Sequence, residues 1–199
     1  MKYTNYSALA GVFIAGAAMF SIATSAAAKN APKVKFATTA GDFVVEVYPD
    51  KAPKTVENFL QYVKDKHYDG TVFHRVIENF MVQGGGFDAN YVQKKTRAPV
   101  AHEGLDALAK GGPKNVPGTL AMARTNDPNS ATAQFFINVK DNAFLDPSAQ
   151  QPGYTVFGKV VGGMDVVQKI KVTPTGPGGP FPSDVPKTPI LINSATLVN

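Results

Sequence analysis

Short runs of β-branched and aromatic residues, separated by turn chemistry, recur through most of the chain. Val34 to Thr38 and Phe43 to Tyr48 are two such runs, and Ala40-Gly41-Asp42 between them supplies a turn, which predicts a β-hairpin. The period then changes. Val56, Phe59, Leu60 and Val63 fall at i, i+3, i+4 and i+7 behind Pro53, the pattern of an amphipathic helix over 53–66 with proline in its first turn. Asp69-Gly70 closes that segment. Val72 to Gly86, VFHRVIENFMVQGGG, reads as two strands about a polar break at Glu78-Asn79. A polar, irregular insert follows up to Asn115, with one short helix near Leu105–Ala109. Val116 to Ala123, Gln134 to Val139, Tyr154 to Val161 and Ile190 to Val198 read as further strands. Val166, Val167 and Ile170 mark a second helix over 163–171. Residues 173–189 hold six prolines and three glycines and read as an extended loop.

Eight strands follow one another with two principal helices and no β-α-β alternation. That order predicts a mainly β fold, an eight-stranded antiparallel barrel closed on itself and capped by two α-helices. No internal repeat or linker divides it.

The first 28 residues stand apart. Lys2 is their only charge, Ala8 to Ile22 is apolar and small, and Ala26-Ala27-Ala28 precedes Lys29. This is the pattern of a cleaved secretory signal peptide, with the remainder, 29–199, forming one domain. The apolar stretch falls short of the ~20 residues that span a bilayer. A periplasmic protein without a membrane anchor after cleavage is the expectation. The chain has no cysteine, which excludes disulfides, thiolate metal sites and cysteine nucleophiles. The net charge of +5 is scattered, and its densest cluster, Lys94-Lys95-Arg97, lacks interleaved aromatics. That argues against a nucleic-acid partner.

His67, His74 and His102 have no metal-ligand spacing, no serine sits in a nucleophile elbow, and Gly84-Gly85-Gly86 is not followed by Lys-Ser/Thr. No metal or cofactor is expected. One residue asks for a reason: Arg75, between His74 and Val76 in an apolar run. An arginine there is a paired structural residue, a snorkelling edge residue or a functional cation.

The strings FHRVI (73–77), FMVQGG (80–85), GTLAMAR (118–124), QFFINV (134–139), FLD (144–146) and VFGKVVGGMDVV (156–167) resemble the cyclophilins in order and spacing. With the leader, the chain is most similar to the periplasmic members of Gram-negative bacteria. The resemblance implies a barrel capped by two helices, and peptidyl-prolyl cis-trans isomerase activity on proline-containing peptides and on exported proteins that are unfolded or still folding. It implies catalytic roles for Arg75, His74 and Gln83, Gln83 orienting Arg75 and contacting the substrate backbone. Phe80, Met81, Phe136 and Leu145 would hold the proline ring. Ala123, Arg124 and Gln134 would line the peptide groove, Arg124 mostly through its main chain. Phe144 and Tyr154 would border the pocket. Phe144 stands where the well-known eukaryotic members have Trp, and Tyr154 where they have His. The missing indole donor argues for weak cyclosporin binding. No exposed apolar helix suggests assembly, so a monomer is expected. The rival reading is a proline-binding chaperone without turnover.

Overall fold

The chain is described from a computed structural model, which covers Met1 and residues 31–198. The signal-peptide reading and the start at Lys29 lie outside the described residues.

The strands are β1 (Lys33–Thr38), β2 (Gly41–Val47), β3 (Thr71–Ile77), β4 (Met81–Asp88), β5 (Thr119–Met122), β6 (Phe135–Asn138), β7 (Val156–Gly162), β8 (Thr175–Gly178), β9 (Phe181–Pro186) and β10 (Leu191–Val198). Eight of them close an antiparallel barrel in the order β1-β10-β3-β4-β6-β5-β7-β2. Closure leaves these eight strands without a free sheet edge. The helices α1 (Pro53–Lys64) and α3 (Met164–Lys171) pack their apolar stripes into the barrel core. The short helix of the insert, α2 (Gly104–Ala109), is a third.

The core is aromatic. Phe36 stacks on Phe43 with ring centroids 5.0 Å apart, and Phe59 of α1 comes within 5.1 Å of Phe157. Fully burying a side chain of this size contributes about 1.5–3 kcal/mol.

The segment 173–189 corrects the reading of an extended loop. Its β8 and β9 form a two-stranded antiparallel ribbon, with Gly176 opposite Val185 and Gly178 opposite Phe181. Proline is excluded from central strands because it cannot donate to a ladder, but a two-stranded ribbon has only edges. Val185 is buried and lies over Gly178, where an added Cβ would come within 2.8 Å of Val185 Cγ1. The ribbon stands outside the barrel sheet, against β3.

Side-chain alternation makes two apolar clusters from one set of strands. Val82, Phe135, Ile137, Leu120 and Met122 join the barrel core. Their neighbours Met81, Phe136 and Ala121 point to the other face, where they pack with Leu145 and Val156 in a second, smaller cluster. That second cluster, on the outer face, is the floor of the candidate site.

Candidate active site

The pairing of β3 with β4 shifts twice, between Thr71 and Phe73 and again between Phe73 and Arg75. Phe73 pairs with Gly84, and the next pair is Arg75 with Gln83, so two steps along β3 match one along β4. His74 is the extra residue of a β-bulge. Phe73 and Val76 both enter the barrel core. His74 and Arg75, adjacent in sequence, both line one cleft on the outside.

The cleft encloses about 380 Å³. Phe80, Met81, Phe136 and Leu145 line its apolar part, and Ala123, Arg124, Gln134 and Tyr154 extend it along β5 and β6. Tyr154 meets Phe136 edge to face at 5.4 Å. Asparagines fix the loop that carries Leu145. The Asn142 side chain donates to the Phe80 carbonyl at 2.9 Å and to Asn138 Oδ1 at 2.7 Å, while Asn115 donates to the Leu145 carbonyl at 3.2 Å. Buried amides cost free energy unless bonded, so a satisfied network holds the pocket wall in one place.

Gln83 reaches the cleft from β4, and its amide donates to Gln134 Oε1 at 2.9 Å. The glycines behind it make this contact possible. At Gly86 a Cβ would fall 2.5 Å from Gln134 Cγ, and Gly85, at φ +84°, has Tyr68 within 2.8 Å of the same position. The Arg124 guanidinium is occupied: Nε and Nη2 donate to the Gly153 carbonyl at 3.1 and 2.8 Å, and Cζ lies 4.6 Å from the Tyr154 ring centroid. Its side chain braces the wall.

An apolar pocket floored by two strands and a helical turn, with one arginine at its mouth, is the surface on which the comparisons bear. Residues 33–197 match the family described as cyclophilin type peptidyl-prolyl cis-trans isomerase/CLD. A peptidyl-prolyl cis-trans isomerase of Streptomyces antibioticus is 54% identical over 168 residues, covering 83% of this chain and 98% of the relative. Peptidyl-prolyl cis-trans isomerase B of Escherichia coli is 53% identical, covering 82% and 98%. The chain belongs to the cyclophilin-type peptidyl-prolyl cis-trans isomerases. Among solved structures, the cyclophilin AquaCyp293 from Hirschia baltica superposes with a TM-score of 0.67 at 26% identity, covering 84% of this chain and 74% of that one. A Cryptosporidium parvum cyclophilin gives 0.68 at 23% identity, covering 85% and 98%.

Of the residues the sequence pointed to, the fold of this cyclophilin brings all but Phe144 into the cleft lining. Phe144 sits in a single 3-10 turn at the rim, 64% exposed, and stacks on Phe80 at 5.6 Å. Among the described residues no hydrogen bond joins Gln83 to Arg75; the Gln83 amide donates to Gln134. The anion beside Arg75 is Asp184, whose Oδ2 lies 3.8 Å from Nε. Phe80 supplies the other neighbour, its ring centroid 6.0 Å from Cζ.

Two lining residues escaped the sequence reading, Phe87 and Phe181. They flank His74, with ring centroids at 4.7 and 5.3 Å. An aromatic residue isolated in a Pro/Gly-rich segment, as Phe181 is, was the available signal. Between these rings His74 is buried, and among the described residues its Nδ1 has no hydrogen-bond partner. Burial lowers its pKa to about 4, the Val72 backbone opposing and the Arg75 charge reinforcing the shift. The imidazole is therefore neutral at physiological pH. It lines the cleft wall.

Proposed function

We propose that this cyclophilin accelerates rotation about Xaa-Pro bonds by holding the proline ring on Phe80, Met81, Phe136 and Leu145 and stabilising the twisted amide with Arg75. The uncatalysed barrier is about 18–20 kcal/mol, because rotation breaks amide resonance. The twisted prolyl nitrogen regains a lone pair and accepts a hydrogen bond that neither planar isomer accepts. A planar, permanently charged donor suits that task, and no nucleophile or proton transfer is required. The observation that carries the reading is the placement of Arg75 beside the apolar pocket, with no hydrogen bond to its terminal amino groups among the described residues.

Exchange spectroscopy on a cis/trans proline peptide tests it. Losing a preorganised donor typically costs about 100- to 1000-fold in rate. Arg75→Ala is expected to lose that much kcat/KM while peptide affinity changes far less, and Arg75→Lys to be nearly as poor. A folded Arg75→Ala protein exchanging peptide at the wild-type rate would make the residue structural.

The setting proposed is the periplasm, with exported proteins as clients, on the strength of the leader at residues 1–28. Slow prolyl isomerisation limits folding there as elsewhere. Intact mass of the protein recovered after secretion is expected to begin at Lys29. A mass that retains the leader sinks the location.

A further inference from the structure

We infer that Asp184, on the proline-rich ribbon outside the barrel, is a positioning residue for Arg75 and sets its guanidinium for the reaction. This rests on the proposed role of Arg75.

Arg75 is 44% exposed at the side chain and stands on a bulged strand, so neither burial nor a regular ladder fixes where its long side chain points. Gln83 is its strand partner but bonds elsewhere. Among the described residues Asp184 is the single ion-pair partner of Arg75, and Arg75 is the single ion-pair partner of Asp184. The carboxylate approaches the Nε side, which leaves Nη1 and Nη2 for substrate. On the far side the Phe80 ring completes the placement.

Asp184 is itself held. Its φ is +65°, a left-handed conformation uncommon for a residue other than glycine and most tolerated by Asp and Asn. Such conformations persist where the surroundings over-determine them. Val185 beside it is buried against Gly178, and Phe181 at the start of the strand packs tilted on His74 and edge to face on Phe87. Phe181 ties the ribbon to His74 on β3, Val185 closes the ribbon on itself, and the carboxylate between them faces Arg75.

The test is the kinetics of Asp184→Asn and Asp184→Glu beside wild type and Arg75→Ala. Asn adopts the left-handed conformation as readily as Asp, so the fold is retained. A half-exposed ion pair is worth about 0.2–1 kcal/mol, so kcat of Asp184→Asn is expected to fall about 1.4- to fivefold at low salt with KM unchanged. Asp184→Glu is expected to recover most of it. Added salt should lower wild-type kcat toward the Asp184→Asn value and leave Asp184→Asn flat, since screening removes the same attraction. A wild-type kcat in Asp184→Asn, or a loss in step with the melting temperature that Glu does not rescue, overturns the assignment. If Arg75→Ala is impaired while Asp184→Asn is not, only the positioning role fails. If neither is impaired, the role of Arg75 fails with it.

Discussion

The carboxylate of Glu103 accepts both the backbone N–H and the hydroxyl of Thr55, each at 2.7 Å, across 48 residues of sequence. Its other oxygen takes the Lys54 N–H at 3.1 Å. Helix α1 begins after Ala52, which offers no side-chain cap, so its first free N–H groups are satisfied by an acid from the insert. The negative charge also complements the positive end of the helix dipole.

Removing that acid leaves buried donors unpaired. Glu103→Ala is expected to destabilise the protein by about 3 kcal/mol, or roughly 6–12 °C in Tm. Thermal melts measure it directly, and a shift under 2 °C would mean that water replaces the carboxylate.

A pH effect follows from His74. Its folded pKa of about 4 lies below the ordinary value of 6.5, so the unfolded chain binds the extra proton. Stability from keeping this ring neutral is complete above pH 6.5 and is lost as pH falls toward 4, with a full loss of about 3 kcal/mol. Burial lowers the pKa of His67 and His102 as well, with the same sign. The informative comparison is therefore with His74→Phe, which keeps a ring between Phe87 and Phe181. Urea midpoints at pH 7.5 and 4.5 should fall less in that variant, and parallel losses would contradict the assignment.

Gly86 controls the Gln83–Gln134 hydrogen bond. In Gly86→Ala the new methyl meets Gln134 Cγ at 2.5 Å, and the amide must swing away. One such bond is worth about 0.5–1.5 kcal/mol, so kcat/KM should fall about two- to tenfold. Gln134→Ala should give a similar loss, and the double variant little more, because both act through one contact. Additive losses would show two separate effects.

Cyclosporin should inhibit weakly, since Phe144 presents a ring face at the rim but no donor. Phe144→Trp is expected to tighten inhibition about two- to tenfold, the worth of one added hydrogen bond. Equal inhibition constants for the two proteins would remove the donor from consideration.

Local patterning carried much of this molecule. The apolar runs of β4, β5 and β6 marked strands, and the resemblance to the cyclophilins, not the alternation, singled out Met81 and Phe136 for the pocket. The i, i+3, i+4, i+7 spacing of Val56, Phe59, Leu60 and Val63 marked α1, because burying one stripe is a property of the segment itself. Three things were settled only by tertiary structure. The bulge at His74 depends on the register between β3 and β4, which neither strand contains alone. The cap of α1 comes from Glu103, because the helix start had no local acceptor and long-range folding delivered one. Prolines and glycines made 173–189 look irregular, yet Val185 pairs across the ribbon and Phe181 packs on His74 of β3, carrying Asp184 to Arg75. Backbone propensity is a local quantity. Which distant side chain satisfies a free N–H or faces a lone guanidinium is decided by the packing of the whole chain.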